Sequence, residues 1–303
     1  MEPILVIGGT GHIGREVVSQ LAASGTPVRS LARNPEAAPV PPHVDVIRGD
    51  LTRPDSLGPA LDGVDTVFLV WVAPPAAAAA ALERIARNAK RIVYLSAPLK
   101  TQHPFFQQPN SSRVLAEQIE RLIETSGLRW THLRPGMFSL NSLHFWGPQI
   151  RAGDTVRWPC LDAPTAPIHE HDIAAVAVRA LCEESHDGAE YVITGPESLT
   201  QAEQIETIGR AIGRPLRLQE MSPEEARREL LPVLGTDAVV TKLLDAWRAA
   251  LGQPAYVSST FQDVMGRPPQ TFLDWATLNS AAFSSPSPDC TSSSQTSRES
   301  PAA

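Results

Sequence analysis

The stretch Ile4-Leu5-Val6-Ile7-Gly8-Gly9-Thr10-Gly11-His12-Ile13-Gly14 decides the fold. Four apolar residues lead straight into glycines spaced Gly-x-x-Gly-x-x-Gly. Behind them Ile13, Val17, Val18 and Leu21 share one helical face, and Gly25 stops the run. The order is buried strand, tight turn, helix. Such a turn gathers backbone N–H groups and the positive end of a helix at one point, where a pyrophosphate can sit. Gly8 permits the sharp turn, Gly11 lets phosphates approach the main chain, and Gly14 lets the helix close on the strand. Thr10, His12 and Ile13 complete the loop expected to wrap the ligand.

The same pattern repeats outward from this motif. Residues 27–32 fit a second strand, 44–47 a third, 65–70 a fourth, 91–96 a fifth and 129–134 a sixth, cut off by Pro135-Gly136. Helices intervene at about 54–61, after Pro74-Pro75, and over 111–125, where Leu115, Ile119, Leu122 and Ile123 face inward. Strands with apolar cores alternating with helices predict a parallel sheet covered on both faces, a doubly wound α/β (Rossmann) fold. Residues 1–137 form its nucleotide-binding core, joined by a returning strand and helix from about 165–195.

Residues 138–283 are expected to form a smaller, mixed, substrate-binding part. Its first thirty or so residues are rich in Trp, Pro and Gly and read as loops around a pocket. Asp172 is expected to cap a helix, Thr200 a second one ending near Gly213, and Ser222-Pro223-Glu224-Glu225 is a capping box opening a third. A short strand at 191–193 and helices at about 236–250 and 270–283 complete this part. Residues 284–303 hold eight serines and three prolines with almost no apolar bulk, and read as a disordered tail.

Bulk properties narrow the function. The 303 residues can bury a sizeable core, and 42% hydrophobic with 19% charged residues reads as a soluble globular chain. A formal net charge of −7 repels polyphosphate, which argues against nucleic-acid binding. The longest uncharged run, residues 66–82, is interrupted by Pro74-Pro75 and falls short of the roughly 20 apolar residues of a membrane span. Three scattered cysteines suggest a reducing compartment, and the N-terminus has no basic segment of a signal peptide. A cytoplasmic protein with a small-molecule partner follows; self-association into a homo-oligomer stays open.

A dinucleotide site of this kind normally carries Asp or Glu about 20 residues beyond the glycines, for the ribose 2′-OH. Here the second strand ends Ser30-Leu31-Ala32-Arg33-Asn34-Pro35, with no acid. Arg33 stands where a 2′-phosphate would lie, and a guanidinium can hold phosphate bidentately, so NADP(H) is expected over NAD(H). Asp50 and Leu51 should edge the adenine. Val70 and Trp71 should border the adenosine ribose or the pyrophosphate.

Taken together, Gly8 to Gly14, the Ala32-Arg33-Asn34-Pro35 turn, Gly49-Asp50-Leu51, Tyr94-Leu95-Ser96 and Leu133-Arg134-Pro135-Gly136-Met137-Phe138 resemble the atypical short-chain dehydrogenase/reductases, in particular the NmrA-like group. Asp172-Ile173-Ala174 and Tyr191-Val192-Ile193-Thr194-Gly195-Pro196 match its second half, and the resemblance covers roughly residues 3–235. It implies NADP(H) across the carboxyl edge of the sheet, with Pro135 and Gly136 beside the nicotinamide.

The departure from that pattern is informative. The wider superfamily reduces carbonyls with a Tyr-x-x-x-Lys pair and a Ser or Thr at the end of the fifth strand. Here Pro109 stands at the tyrosine position and Arg113 at the lysine position, and the serine position is Ser96 or Ala97. Arginine cannot release a proton near neutral pH, though it can hold an oxygen. Two readings follow. In the first, a triad-less ketoreductase acts on a small aromatic, polyketide-like metabolite such as those of antibiotic biosynthesis. Ser96 and Arg113 steady the reacting oxygen, and the proton comes from substrate, water or His103. Met137, Phe138, Trp146 and His169 line the substrate. In the second, an NmrA-like sensor binds NADP(H) without turnover. His169-Glu170-His171-Asp172 tempts a metal assignment, but no third and fourth ligands suggest themselves, and no metal is expected.

Overall fold

A computed structural model of the chain describes residues 2–108 and 111–284. Pro109 and the Ser/Pro-rich tail beyond residue 284 lie outside the described residues. The first half alternates as expected: β1 (Ile4–Ile7), α1 (His12–Ala23), β2 (Val28–Ala32), β3 (Asp45–Arg48), α2 (Gly58–Leu61), β4 (Thr66–Val70), α3 (Ala78–Ala86) and β5 (Arg91–Leu95). The short α4 (Pro104–Gln107) precedes the long α5 (Ser111–Glu124), and β6 (Arg129–Pro135) follows. Next come α6 (Asn141–Phe145), α7 (Gly147–Ala152), β7 (Thr155–Trp158) and β8 (Pro164–Thr165). They are followed by α8 (Glu170–Cys182), β9 (Ala189–Ile193), β10 (Leu199–Thr200) and α9 (Gln201–Ala211). The chain closes with β11 (Arg217–Glu220), α10 (Pro223–Leu234), α11 (Asp237–Ala250), α12 (Thr260–Met265) and α13 (Phe272–Leu278).

Seven strands form one parallel sheet in the order β3-β2-β1-β4-β5-β6-β9. The order reverses between β1 and β4, and ligands collect outside the carboxyl ends of strands at such a reversal. Alternate strand residues face opposite sides. Val6, Phe68, Val93 and Leu133 pack under α1 and α8 against Val17, Leu21, Ile173 and Val176. Leu5, Leu69 and Ile92 pack under α3 and α5 against Leu82, Ile85, Ile119 and Ile123. Both faces are dry, which is why these strands read as continuous apolar runs. The two short pairs, β10–β8 and β11–β7, stand apart from this sheet.

A third core departs from expectation. The segment read as pocket-shaping loops supplies two short helices and two short strands, and buries its tryptophans. Trp146 and Trp158 are 1% and 0% exposed and pack with Trp247 of α11 and Trp275 of α13. Trp158 stacks edge-on against Trp146 with ring centroids 5.9 Å apart, and its indole N–H donates to Gln201 Oε1 at 2.6 Å. A buried indole contributes roughly 2–3 kcal/mol, so these rings are ordinary core.

The helix starts agree with expectation at two places and differ at one. Thr200 and Ser222 each form a full capping box, with Glu203 and Glu225. The cap of α8 is His169, whose ring accepts from the His171 N–H, and Asp172 lies inside the first turn. The Asp172 carboxylate is fully buried and instead accepts from the Gln270 N–H at 2.6 Å and from Arg267 at 3.1 Å. A carboxylate there ties the connection between α12 and α13 to α8 rather than closing a helix end.

Candidate active site

A cleft of about 730 Å³ runs along the carboxyl ends of β1, β2 and β4. Gly8, Thr10, Gly11, His12, Ile13, Gly14, Arg33, Asp50, Leu51 and Val70 all line it. The glycines divide into two kinds. A Cβ on Gly14 would stand 2.1 Å from the Gly8 carbonyl oxygen. Gly8 itself has φ +89 and would meet Val70 Cβ at 2.8 Å. Those two serve the packing of strand and helix. Gly11 has φ −82, open to any residue, and its Cβ would meet only Gly8 O at 3.4 Å. The fold leaves room for a side chain at Gly11, yet the position is bare and exposed on the cleft. No side chain caps α1 either. Bare main chain at an uncapped helix N-terminus is the cradle a pyrophosphate needs, so these residues fit a dinucleotide.

The cleft's other wall carries the charges. Arg33 lies exposed just beyond β2. Asp50 accepts from the Thr52 N–H and hydroxyl at 2.9 and 2.8 Å. Those bonds, backbone first, hold its carboxyl below the usual range, with help from Arg33 and Arg53. Trp71 corrects the expectation for this wall: it packs against the core beneath α3, and its indole donates to the Ala73 carbonyl at 2.6 Å. Val72 and Ala73, beyond the end of β4, line the cleft in its place.

A second cavity, of about 370 Å³, adjoins the first, and Asn141 lines both. Its walls come from residues 97–98, α4, the start of α5, residues 135–137 and one face of α11. Pro135, Gly136 and Met137 line it, while Phe138 turns to the nucleotide cleft. Phe105, Phe106 and Phe145 supply flat apolar surface. Arg113 lines it too, with its guanidinium donating to the Phe106 carbonyl at 2.6 Å and to the Leu99 carbonyl. Arg113 therefore also straps the segment carrying α4 onto α5.

Four further expected site residues are placed elsewhere. Ser96 does not line the cavity; its hydroxyl donates to Glu120 Oε1 at 2.6 Å, and Ala97 takes the lining position. His103 caps α4: its Nδ1 accepts from the Phe105 N–H at 3.2 Å, so Nε2 carries the proton and meets the Pro254 carbonyl at 3.0 Å. Both nitrogens are thereby occupied, which removes the ring as a ready proton donor. His169 is the buried cap of α8, and burial pushes its pKa down. Trp146 is core. Ser96 finds its partner 24 residues away on α5, whereas His103 and His169 bond backbone N–H groups two residues ahead. Phe105, Phe106, Asn141 and Lys242 were not anticipated; only the apolar stripe on α11 hinted at the last.

No tyrosine replaces the absent donor. Tyr94, Tyr191 and Tyr256 all lie outside the cavity lining. Burial pushes the Tyr94 phenol well above its ordinary value, with a further push from Glu120. Beside it, Glu120, Glu124 and His132 bring ligand-type atoms within 4.8 Å of one another, but Arg134 already holds the Glu120 carboxylate at 2.6 and 2.9 Å.

A parallel sheet with a glycine turn at its reversal point and a bare phosphate cradle define a dinucleotide-binding α/β protein. Residues 8–184 match the profile of the NAD(P)H-binding family, and the chain belongs to that family. A (4-alkanoyl-5-oxo-2,5-dihydrofuran-3-yl)methyl phosphate reductase of Streptomyces griseus is 38% identical over 283 residues, covering 92% of this chain and 99% of the relative. An NAD(P)H azoreductase of Xenophilus azovorans is 33% identical over 293 residues, covering 92% and 99%. Among solved structures, the NADPH-dependent quinone oxidoreductase of Escherichia coli superposes with a TM-score of 0.76 at 23% identity, covering 91% of this chain and 98% of its own. The Citrobacter triphenylmethane reductase bound to NADP(H) gives 0.76 at 18% identity, covering 92% and 99%. These two show a shared fold. The chain is an NAD(P)H-dependent reductase, so the sensor reading is set aside. Among the described residues no helix is long and apolar enough to cross a membrane.

Proposed function

We propose that this reductase acts on a ketone or a conjugated double bond in a small, planar, aromatic or polyketide-like molecule. One observation carries the reading. The cavity beside the nucleotide cleft is walled by Phe105, Phe106, Phe145 and Met137, and its lining holds no tyrosine, histidine or acid. A pocket without the superfamily's tyrosine donor suits an acceptor that can carry the charge itself. The bound nicotinamide supplies the hydride. Gly8 to Gly14 hold the pyrophosphate and Arg33 the 2′-phosphate. Pro135, Gly136 and Asn141 set the boundary across which donor and acceptor meet. The phenylalanines hold a flat substrate in place and exclude water. Negative charge left on the acceptor spreads over its conjugated system, the fixed charge of Arg113 favours it, and water returns the proton.

The relatives support this choice of acceptor. The name of the Streptomyces substrate denotes a ring double bond flanked by a ring carbonyl and an alkanoyl group, and the Xenophilus enzyme is named for an azo bond. Both acceptors delocalise the charge that hydride addition creates. NADPH oxidation should be followed with acyl-substituted unsaturated lactones, naphthoquinones and isolated aliphatic ketones. Turnover is expected with the first two classes and not with the third. Rapid reduction of isolated ketones alone would mean that a proton donor operates in the cavity and that the reading is wrong.

A further inference from the structure

We infer that the smaller cavity takes an anionic substrate and that Lys242 receives its charged group, a phosphate monoester or a carboxylate. The inference rests on that cavity being the substrate site. Val239, Lys242, Leu243 and Ala246 all line it from α11. Their spacing of three, four and seven places them on one face of the helix. Three of the four are apolar, as a wall requires, and the fourth is an ammonium. Lysine is not needed there for solubility: the water-facing side of α11 already carries Asp245 and Arg248, paired at 3.3 Å.

No group among the described residues answers the Lys242 charge. Among the described residues no carboxylate pairs with it, and no hydrogen bond holds its ammonium. The cavity lining contains no aspartate or glutamate at all. Its other cation, Arg113, donates to two main-chain carbonyls and strengthens the positive field without neutralising it. Burial opposes the charge on Lys242 and pulls its pKa down. A half-buried ammonium among apolar side chains, without a counter-ion, is unfavourable unless a ligand brings one. The nucleotide cannot be that ligand, because its own phosphates are served by the glycine turn and by Arg33 in the other cleft, which Lys242 does not line.

The test uses the protein saturated with NADP(H) and three ligands of one shape: 2-naphthyl phosphate, 2-naphthoate and 2-naphthol. Calorimetry should find the phosphate, the carboxylate or both bound about tenfold or more tightly than the naphthol. Lys242→Met should remove that preference while retaining naphthol and NADPH binding, and Lys242→Arg should restore part of it. The phosphate and carboxylate arms decide which anion the site prefers. Equal affinity for all three ligands in the unaltered protein overturns the inference, and so does a preference that survives in Lys242→Met. Either outcome is separable from failure of the reductase reading, which is judged by NADPH oxidation with neutral naphthoquinones.

Discussion

Ser96 donates its hydroxyl to Glu120 at 2.6 Å, inside the protein and away from the substrate cavity. Glu120 is 3% exposed and holds Arg134, which is 1% exposed and reaches on to Glu190 at 2.5 Å. At this position the wider superfamily aims a hydroxyl at the reacting carbonyl. Here the hydroxyl completes a buried ionic network at the end of β5 and β6. Ser96→Ala should therefore lower stability by about 1–2 kcal/mol, the cost of one missing bond to a buried carboxylate. It should leave kcat/KM within about threefold. Urea melts beside steady-state kinetics check both. A hundredfold loss of turnover at unchanged stability would return Ser96 to the chemistry.

The contrast between Gly11 and Gly14 separates what the fold needs from what the cofactor needs. A Cβ on Gly14 falls 2.1 Å from a backbone oxygen that cannot retreat, because Gly8 is fixed by its own turn. Gly14→Ala should cost several kcal/mol, about 3 or more, and lower the yield of folded protein. Gly11→Ala adds a methyl group only to the open cleft and should alter stability by less than about 1 kcal/mol. It should raise the NADPH dissociation constant by about tenfold or more, since the phosphates lose their close approach. Thermal melts and fluorescence titration read the two effects independently.

Arg33 offers the same kind of separation between two cofactors. It lines the nucleotide cleft beyond β2, where no acid stands to receive a ribose hydroxyl. Arg33→Ala should weaken NADPH by roughly 10- to 100-fold, the worth of a charge-assisted pair with a phosphate. NADH, lacking that phosphate, should respond little. Equal losses for both would place Arg33 on the shared part of the nucleotide.

What could be read directly from the chain was local and periodic. β1, its glycine turn and α1 are contiguous, and β1 and β4 are short apolar runs beside turn signals, so the sheet was legible from local spacing. The smaller cavity is different. Residues 97–108, 112–113, 135–145 and 234–246 meet in it only after folding. A tryptophan at position 146 looks the same in sequence whether it faces a ligand or Trp158. Its burial depends on Trp247 and on Gln201, which anchors Trp158 from another helix. His103 and His169 looked like chemistry because histidine often is. Each in fact ends a loop and caps a helix, with its own backbone extended and its ring accepting from the N–H two residues on.

Stability should also depend on pH through one buried histidine. His132 lies midway along β6, 0% exposed, stacked on Trp130 at 4.4 Å and edge-on to Tyr94 at 6.0 Å. Neither ring nitrogen has a hydrogen-bond partner among the described residues. Glu124 Oε1 lies 3.4 Å from Nε2 but out of line for such a bond. Burial drives the His132 pKa from 6.5 down to about 4, outweighing the pull of Glu120 in the other direction. The unfolded chain thus takes up a proton between these values while the native chain does not. The native state should have its full margin above about pH 6.5, lose it as pH falls towards about 4, and lose no more from this group below that. The loss totals about 3 kcal/mol. His132→Phe keeps the stacking area without the titrating nitrogen, so its stability should decline less over this window. Urea melts of both proteins across the window check this. Parallel declines would mean that the imidazolium forms in the folded protein and pairs with Glu124, which a modest turn of the carboxylate would allow.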